Sequence, residues 1–126
     1  MKRIWISLSI LAVVFGLALV NSWYLDRLTE EMAHTLEQAQ ALAEEGDWAG
    51  GQQRTQEALD RWEASANYLY IVVRHSDSDE VAAGFREVGQ LLEWQEEAEY
   101  TSANARLIEE LRLLADMEQF NLRNLL

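Results

Sequence analysis

Residues 44–51 read Glu44-Glu45-Gly46-Asp47-Trp48-Ala49-Gly50-Gly51, and the meaning of this EEGDWAGG stretch settles the architecture. Apolar residues recur at steps of three or four on both sides of it. Leu25, Leu28, Met32, Leu36, Ala39 and Ala43 precede it, and Thr55, Leu59, Trp62, Ala66, Leu69 and Val73 follow. Such spacing gives each of two helices one apolar face. Glycine adopts the left-handed backbone that ends a helix, and an aspartate oxygen accepts from the free amides that begin the next. Gly46 is therefore expected to stop one helix and Asp47 to cap its successor. A phosphate-binding loop is excluded, because it needs a preceding strand and a Gly-Lys-Ser/Thr ending.

Two more stripes lie downstream: Val81, Phe85, Val88 and Leu92, then Tyr100, Ala103, Leu107, Leu111 and Leu114. Arg74 and His75 are expected to place cations at the end of the second helix, complementing its dipole. Ser76-Asp77-Ser78-Asp79-Glu80 offers cap oxygens for the third, with Asp77 and Glu80 spaced as a capping pair. Proline is absent, which suits long helices. Short connections force successive helices to lie side by side. The expected fold is thus all-α, an N-terminal transmembrane helix continuing into a small antiparallel four-helix bundle built of two helical hairpins.

The two hairpins echo one another. Setting Glu44 on Glu96, an offset of 52, puts Trp48 on Tyr100, Arg54 on Arg106, Glu57 on Glu109 and Leu59 on Leu111. Either one hairpin was duplicated or two amphipathic hairpins share an ordinary likeness. The period is far from the roughly 34 residues of tetratricopeptide units.

The chain upstream has a different character. No charged side chain occurs from Ile4 through Leu25, and IWISLSILAVVFGLALV (Ile4–Val20) is apolar enough for a membrane span. Trp5 and Trp23 stand about 27 Å apart along a helix, close to the roughly 30 Å hydrocarbon thickness, as two interfacial girdles would. The expectation is an uncleaved anchor over 1–25 and an extracytoplasmic bundle over 26–126, with the basic Lys2-Arg3 end in the cytoplasm. The alternative is a cleaved secretory signal, with Val20 and Ser22 as the small residues before the cut. Ala12 and Gly16 form a small-xxx-small pair through which two spans could approach to make a homo-oligomer.

Composition narrows the function. The 126 residues carry a net charge of −12, and beyond Arg3 there are 22 acids against 8 arginines, giving 8 − 22 = −14. So acidic a surface disfavours nucleic acid and anionic lipid as partners, and no nucleic-acid partner is expected. The absence of cysteine excludes disulfides, thiolate metal sites, a cysteine nucleophile and a lipoprotein anchor.

Few groups invite chemistry. Glu31 and His34 have the Glu-x-x-His spacing of di-iron bundles, but that site needs the motif twice, and His34 falls off the apolar stripe. Asp77-Ser78-Asp79 opens like a calcium loop, but Ala82 stands where the loop needs glycine. No catalytic, cofactor-binding or metal-ligating residue is assigned, no cofactor is implied, and an enzyme is not expected. Trp62 and Leu69 belong to the core stripe, whereas Tyr68, Tyr70 and Trp94 lie at stripe margins where they border the core or line a groove for a partner helix. The Phe120–Leu126 tail stays apolar to its end, either to fold back over the bundle or to dock on another protein.

The MKRIW start running into an apolar segment, AEEGDWAGG between helices and the LLADMEQFNLRNLL ending together resemble a small bacterial family, domain of unknown function 4363. The resemblance spans nearly the whole chain. It implies a short, single-anchor helical protein of Gram-positive bacteria and supplies no activity, cofactor or catalytic residue. Gly50-Gly51 and the scarcity of lysine depart from it. The resulting expectation is a non-catalytic accessory module that contacts a protein partner in the cell envelope. The alternative is an extracytoplasmic sensor-like bundle that binds a cation or small ligand.

Overall fold

The computed structural model describes the backbone of residues 1–125, and side chains for 1–71 and 73–117. It is all-α, with no strand among the described residues. Its helices are α1 (Lys2–Glu44), α2 (Trp48–Ala64), α3 (Ala66–Val72), α4 (His75–Glu93) and α5 (Glu97–Leu125). The bundle is a ring. The second half of α1 packs beside α2 and α5, and α4 completes the ring between those two, so α1 with α2 and α4 with α5 form the two hairpins.

The stripes face inward. Leu25, Met32, Leu36, Leu69, Val81, Val88, Leu92, Tyr100, Leu107 and Leu111 are all but sealed from solvent. Each such leucine stabilises the fold by about 1.5–3 kcal/mol relative to an exposed one. Buried residues begin at Leu25, so the helix enters the bundle just where its charge-free run ends.

The turn at 44–51 works as its residues dictate. Gly46 has φ +91°, and its N–H reaches the Ala43 carbonyl at 3.0 Å. Asp47 N–H reaches the Leu42 carbonyl at 2.9 Å, completing a Schellman motif. The Asp47 carboxylate then accepts from Gly50 N–H at 2.9 Å, capping α2. The paired glycines have packing roles. A Cβ on Gly50 would sit 2.3 Å from that capping carboxylate, and one on Gly51 would lie 3.1 Å from the Ala39 carbonyl oxygen of α1.

A second Schellman motif ends α4. Gln95 takes φ +56°, its N–H reaching Leu92 O at 3.2 Å while Glu96 N–H reaches Leu91 O at 3.1 Å. Matching Gly46 to Gln95 gives an offset of 49 in place of 52. At 49, buried residues coincide: Met32 with Val81, Leu36 with Phe85, Ala43 with Leu92, Thr55 with Asn104, and Trp62 with Leu111. The echo at 52 followed exposed pairs such as Arg54 and Arg106, which slip by about one helical turn at little cost.

The second hairpin helix is not continuous. At Ser65, with φ −95° and ψ 4°, the helix opens and restarts as α3. Arg74 and His75 do not close that helix either. Val73 and Arg74 are extended, with ψ 146° and 141°, and His75 is already the first residue of α4. Ser76–Glu80 therefore lies inside α4 and does not cap it, although Asp77 still places negative charge in the first turn. The β-branched Val73 favours the extended exit. Of the tail, α5 continues as helix to Leu125, and the two alternatives for the Phe120–Leu126 side chains lie outside the described residues.

Candidate functional site

Two surfaces stand out against this closed bundle. One is the first half of α1, which leaves the bundle and makes no core contact. Its apolar window is long enough to cross a membrane, and none of it is buried. Length and composition equally suit a signal sequence. Ile4, Trp5, Leu11, Val14 and Leu17 are all exposed, as is Trp23 at 60%. The Arg27 guanidinium lies 5.4 Å from the Trp23 ring centroid, a cation–π contact at the foot of the bundle.

That foot is braced by α3. The Tyr68 hydroxyl donates to the Asn21 backbone carbonyl at 3.1 Å and also contacts the Asn21 side-chain oxygen. Tyr24 meets Tyr68 edge-on, with centroids 5.0 Å apart and planes at 86°. Sequence periodicity placed Tyr68 at a stripe margin. What it did not reveal was that Asn21, the polar residue closing the apolar run, is its partner. Tyr70, the other marginal tyrosine on α3, is exposed and stacks near His75 with centroids 5.1 Å apart. Trp94 is exposed at the opposite end of the bundle.

The second surface is the groove between α4 and α5, lined by Glu80, Gly84, Glu87, Arg106 and Glu110. Glu110 Oε2 is buried without a hydrogen-bond partner among the described residues. Burial raises its pKa above the ordinary carboxylate value of 4.5, Glu80 raises it further, and Arg106 opposes them. Arg106 is partly engaged elsewhere, 3.5 Å from Glu87.

The Glu-x-x-His spacing on α1 leads nowhere near the core. Glu31 is held at 3.2 Å by Arg27 and at 3.5 Å by Arg61, while His34 lies 3.2 Å from the Gln38 amide on the exposed face. Asp77 and Ser78 are half-buried within α4, and no group of three His, Asp or Glu side chains among the described residues is placed to hold a metal ion.

The core contains a polar network that the apolar stripes did not anticipate. Asn104 is fully buried, and its amide nitrogen donates to the Leu36 carbonyl at 3.1 Å and to Gln40 Oε1 at 3.0 Å. It ties α5 to α1 at one register, a role well attested for buried asparagines in helix packing. Arg112 reinforces the pairing on the surface, 3.2 Å from Glu30 and 2.9 Å from Glu37. Tyr100, buried one turn before Asn104, packs edge-on near Trp48, and its phenol is pushed up to about 12 by burial and by Glu44.

Taken together, these features define a small four-helix bundle carried on a protruding apolar helix. The chain belongs to the family described as "Domain of unknown function (DUF4363)", which matches residues 19–125. That match takes in all of the bundle and omits most of the apolar run. No curated protein and no solved structure matches the chain.

Proposed function

We propose that the chain is a single-pass membrane protein whose bundle acts outside the cytoplasm as a non-catalytic accessory to another envelope protein. One observation carries this reading: α1 is a single helix whose first half offers lipid-length apolar surface while its second half is built into the core. A rod of that kind transmits the position of a bilayer directly to the bundle, with no flexible joint between them. Retention of residues 1–22 is further supported by the Tyr68–Asn21 hydrogen bond, which a cut after Ser22 would remove. Lys2 and Arg3 favour a cytoplasmic N-terminus, which leaves the bundle on the outer side of a single span.

Two measurements test the proposal. Carbonate-washed membranes from the native cell should retain the chain with its Met1 end intact; a soluble product starting at Trp23 refutes the anchor. Cross-linking in intact cells should then give a reproducible adduct with one other envelope protein, and adducts with itself alone refute the accessory role.

A second reading, a cation-sensing bundle, draws on the crowding of Glu80 and Glu87 about the half-buried Glu110. A ligand that binds only the folded state raises its melting temperature. A flat thermal response to divalent cations and polyamines removes that reading.

A further inference from the structure

We infer that α3 is a second membrane contact, lying on the interfacial layer of the same bilayer that α1 crosses. This rests on the anchored reading above and adds to it the orientation of the bundle. Three independent observations converge on the seven residues Ala66-Asn67-Tyr68-Leu69-Tyr70-Ile71-Val72.

Position comes first. The Tyr68 hydroxyl is bonded to Asn21, which lies two residues, about 3 Å, closer to the N-terminus than Trp23. If Trp23 marks the outer interface, α3 is held at that same depth. Both connections out of α3 are short, so it stays at this end of the bundle while the turns at Gly46 and Gln95 occupy the other.

Exposure comes second. Leu69 fills the core, but Ile71 is 84% exposed and Tyr70 is 59% exposed. An isoleucine so fully in water forgoes about 25 cal/mol for each Å² of apolar surface that burial would remove. Tyrosine and tryptophan favour the headgroup layer, where the ring is apolar and its polar edge stays wet. Tyr70, beside His75, and Ile71 thus add exposed apolar surface at the end of the bundle where Tyr68 meets Tyr24.

Charge comes third. Residues 64–76 contain no aspartate or glutamate, the longest acid-free run beyond residue 25 in a chain with 22 acids. Arg74 closes the run at the exit from α3. The α3 segment itself thus adds no negative charge facing the headgroup layer, although Asp26 and Asp77 lie at the same end of the bundle. The exposed apolar residues of α3 and the foot of the span lie at the same end of the bundle.

The chain has no cysteine, so single reporters are introduced without other changes. Ile71→Cys, Leu11→Cys and Trp94→Cys replace exposed side chains. Each full-length variant is labelled with an environment-sensitive fluorophore and reconstituted in phosphatidylcholine–phosphatidylglycerol vesicles. The residue 71 label should be quenched by a lipid nitroxide near the headgroup and shielded several-fold from aqueous iodide relative to the residue 94 label. Equal iodide quenching at 71 and 94 overturns the inference. Shielding at 71 without nitroxide quenching also overturns it, in favour of a second copy covering the patch. The residue 11 label separates the two levels. Deep nitroxide quenching at 11 with a water-exposed 71 refutes only the docking of α3, whereas a water-exposed 11 refutes the anchor and this inference with it.

Discussion

Replacing Asn104 with leucine is expected to make the protein more stable. Asn104 is fully buried; both amide hydrogens are used, by Leu36 O and Gln40 Oε1, but its own carbonyl oxygen has no partner among the described residues. A buried acceptor left unpaired costs about 1–3 kcal/mol. The two hydrogen bonds lost on substitution are each worth about 0.5–1.5 kcal/mol, and both lie at the low end. Leu36 O sits inside α1, where it also accepts from the helix backbone, and the half-buried Gln40 can turn to water. Leucine nearly matches the asparagine in length and puts apolar surface at a site sealed from solvent. The balance favours Asn104→Leu by about 1 kcal/mol, a rise of roughly 4–8 °C in Tm for a bundle of this size. Asn104→Asp reverses the sign, since a buried carboxylate without donors costs about 3 kcal/mol or more. Urea unfolding of the detergent-solubilised chain, followed by tryptophan fluorescence and far-UV circular dichroism, measures both. A loss of stability in Asn104→Leu refutes the reasoning.

Three further outcomes are expected. Asp47→Ala should destabilise by about 1 kcal/mol while Asp47→Asn stays near neutral, because either oxygen can accept from Gly50 N–H; equal effects in urea titrations rule out the cap. Gly51→Val should cost about 1–3 kcal/mol, since its Cβ would press on the Ala39 carbonyl oxygen at 3.1 Å and force α1 and α2 apart; a neutral result shows that the helices are not in close contact there. Glu110→Gln should stabilise at neutral pH. The folded-state pKa of Glu110 is raised, so its contribution is fully present below the ordinary 4.5 and is lost as pH rises through the folded value. The advantage of glutamine should therefore shrink toward zero below pH 4.5, and an advantage that does not change with pH contradicts the burial of Glu110.

Local sequence was a good guide wherever one residue type has one physical use. Gly46 at φ +91° followed by a capping Asp47 was readable because glycine tolerates that backbone and aspartate satisfies free amides. The equivalent turn at Gln95 was not readable, because a glutamine at φ +56° carries no such signature and is held there by the helices on either side. The break at Ser65 likewise has no proline or glycine beside it. It lets Leu69 reach the core and Tyr68 reach Asn21, which is 47 residues away. As for the sites, Tyr68 and Tyr70 were visible as margin residues, but neither the bracing of Asn21 nor the crowding around Glu110 follows from spacing along one helix.

The order of residues alone determined the all-α class, the four buried stripes, the apolar helix and the first turn. Each depends on interactions within a few residues, where 3.6-residue periodicity and backbone preference act directly. Tertiary structure decided the hairpin register of 49, the start of α4 at His75, the buried asparagine and the placement of α3 beside Asn21. Those features depend on which helices meet and at what height. Exposed charge pairs tolerate a one-turn slip, but a packed core with the buried Asn104 tie between α1 and α5 does not.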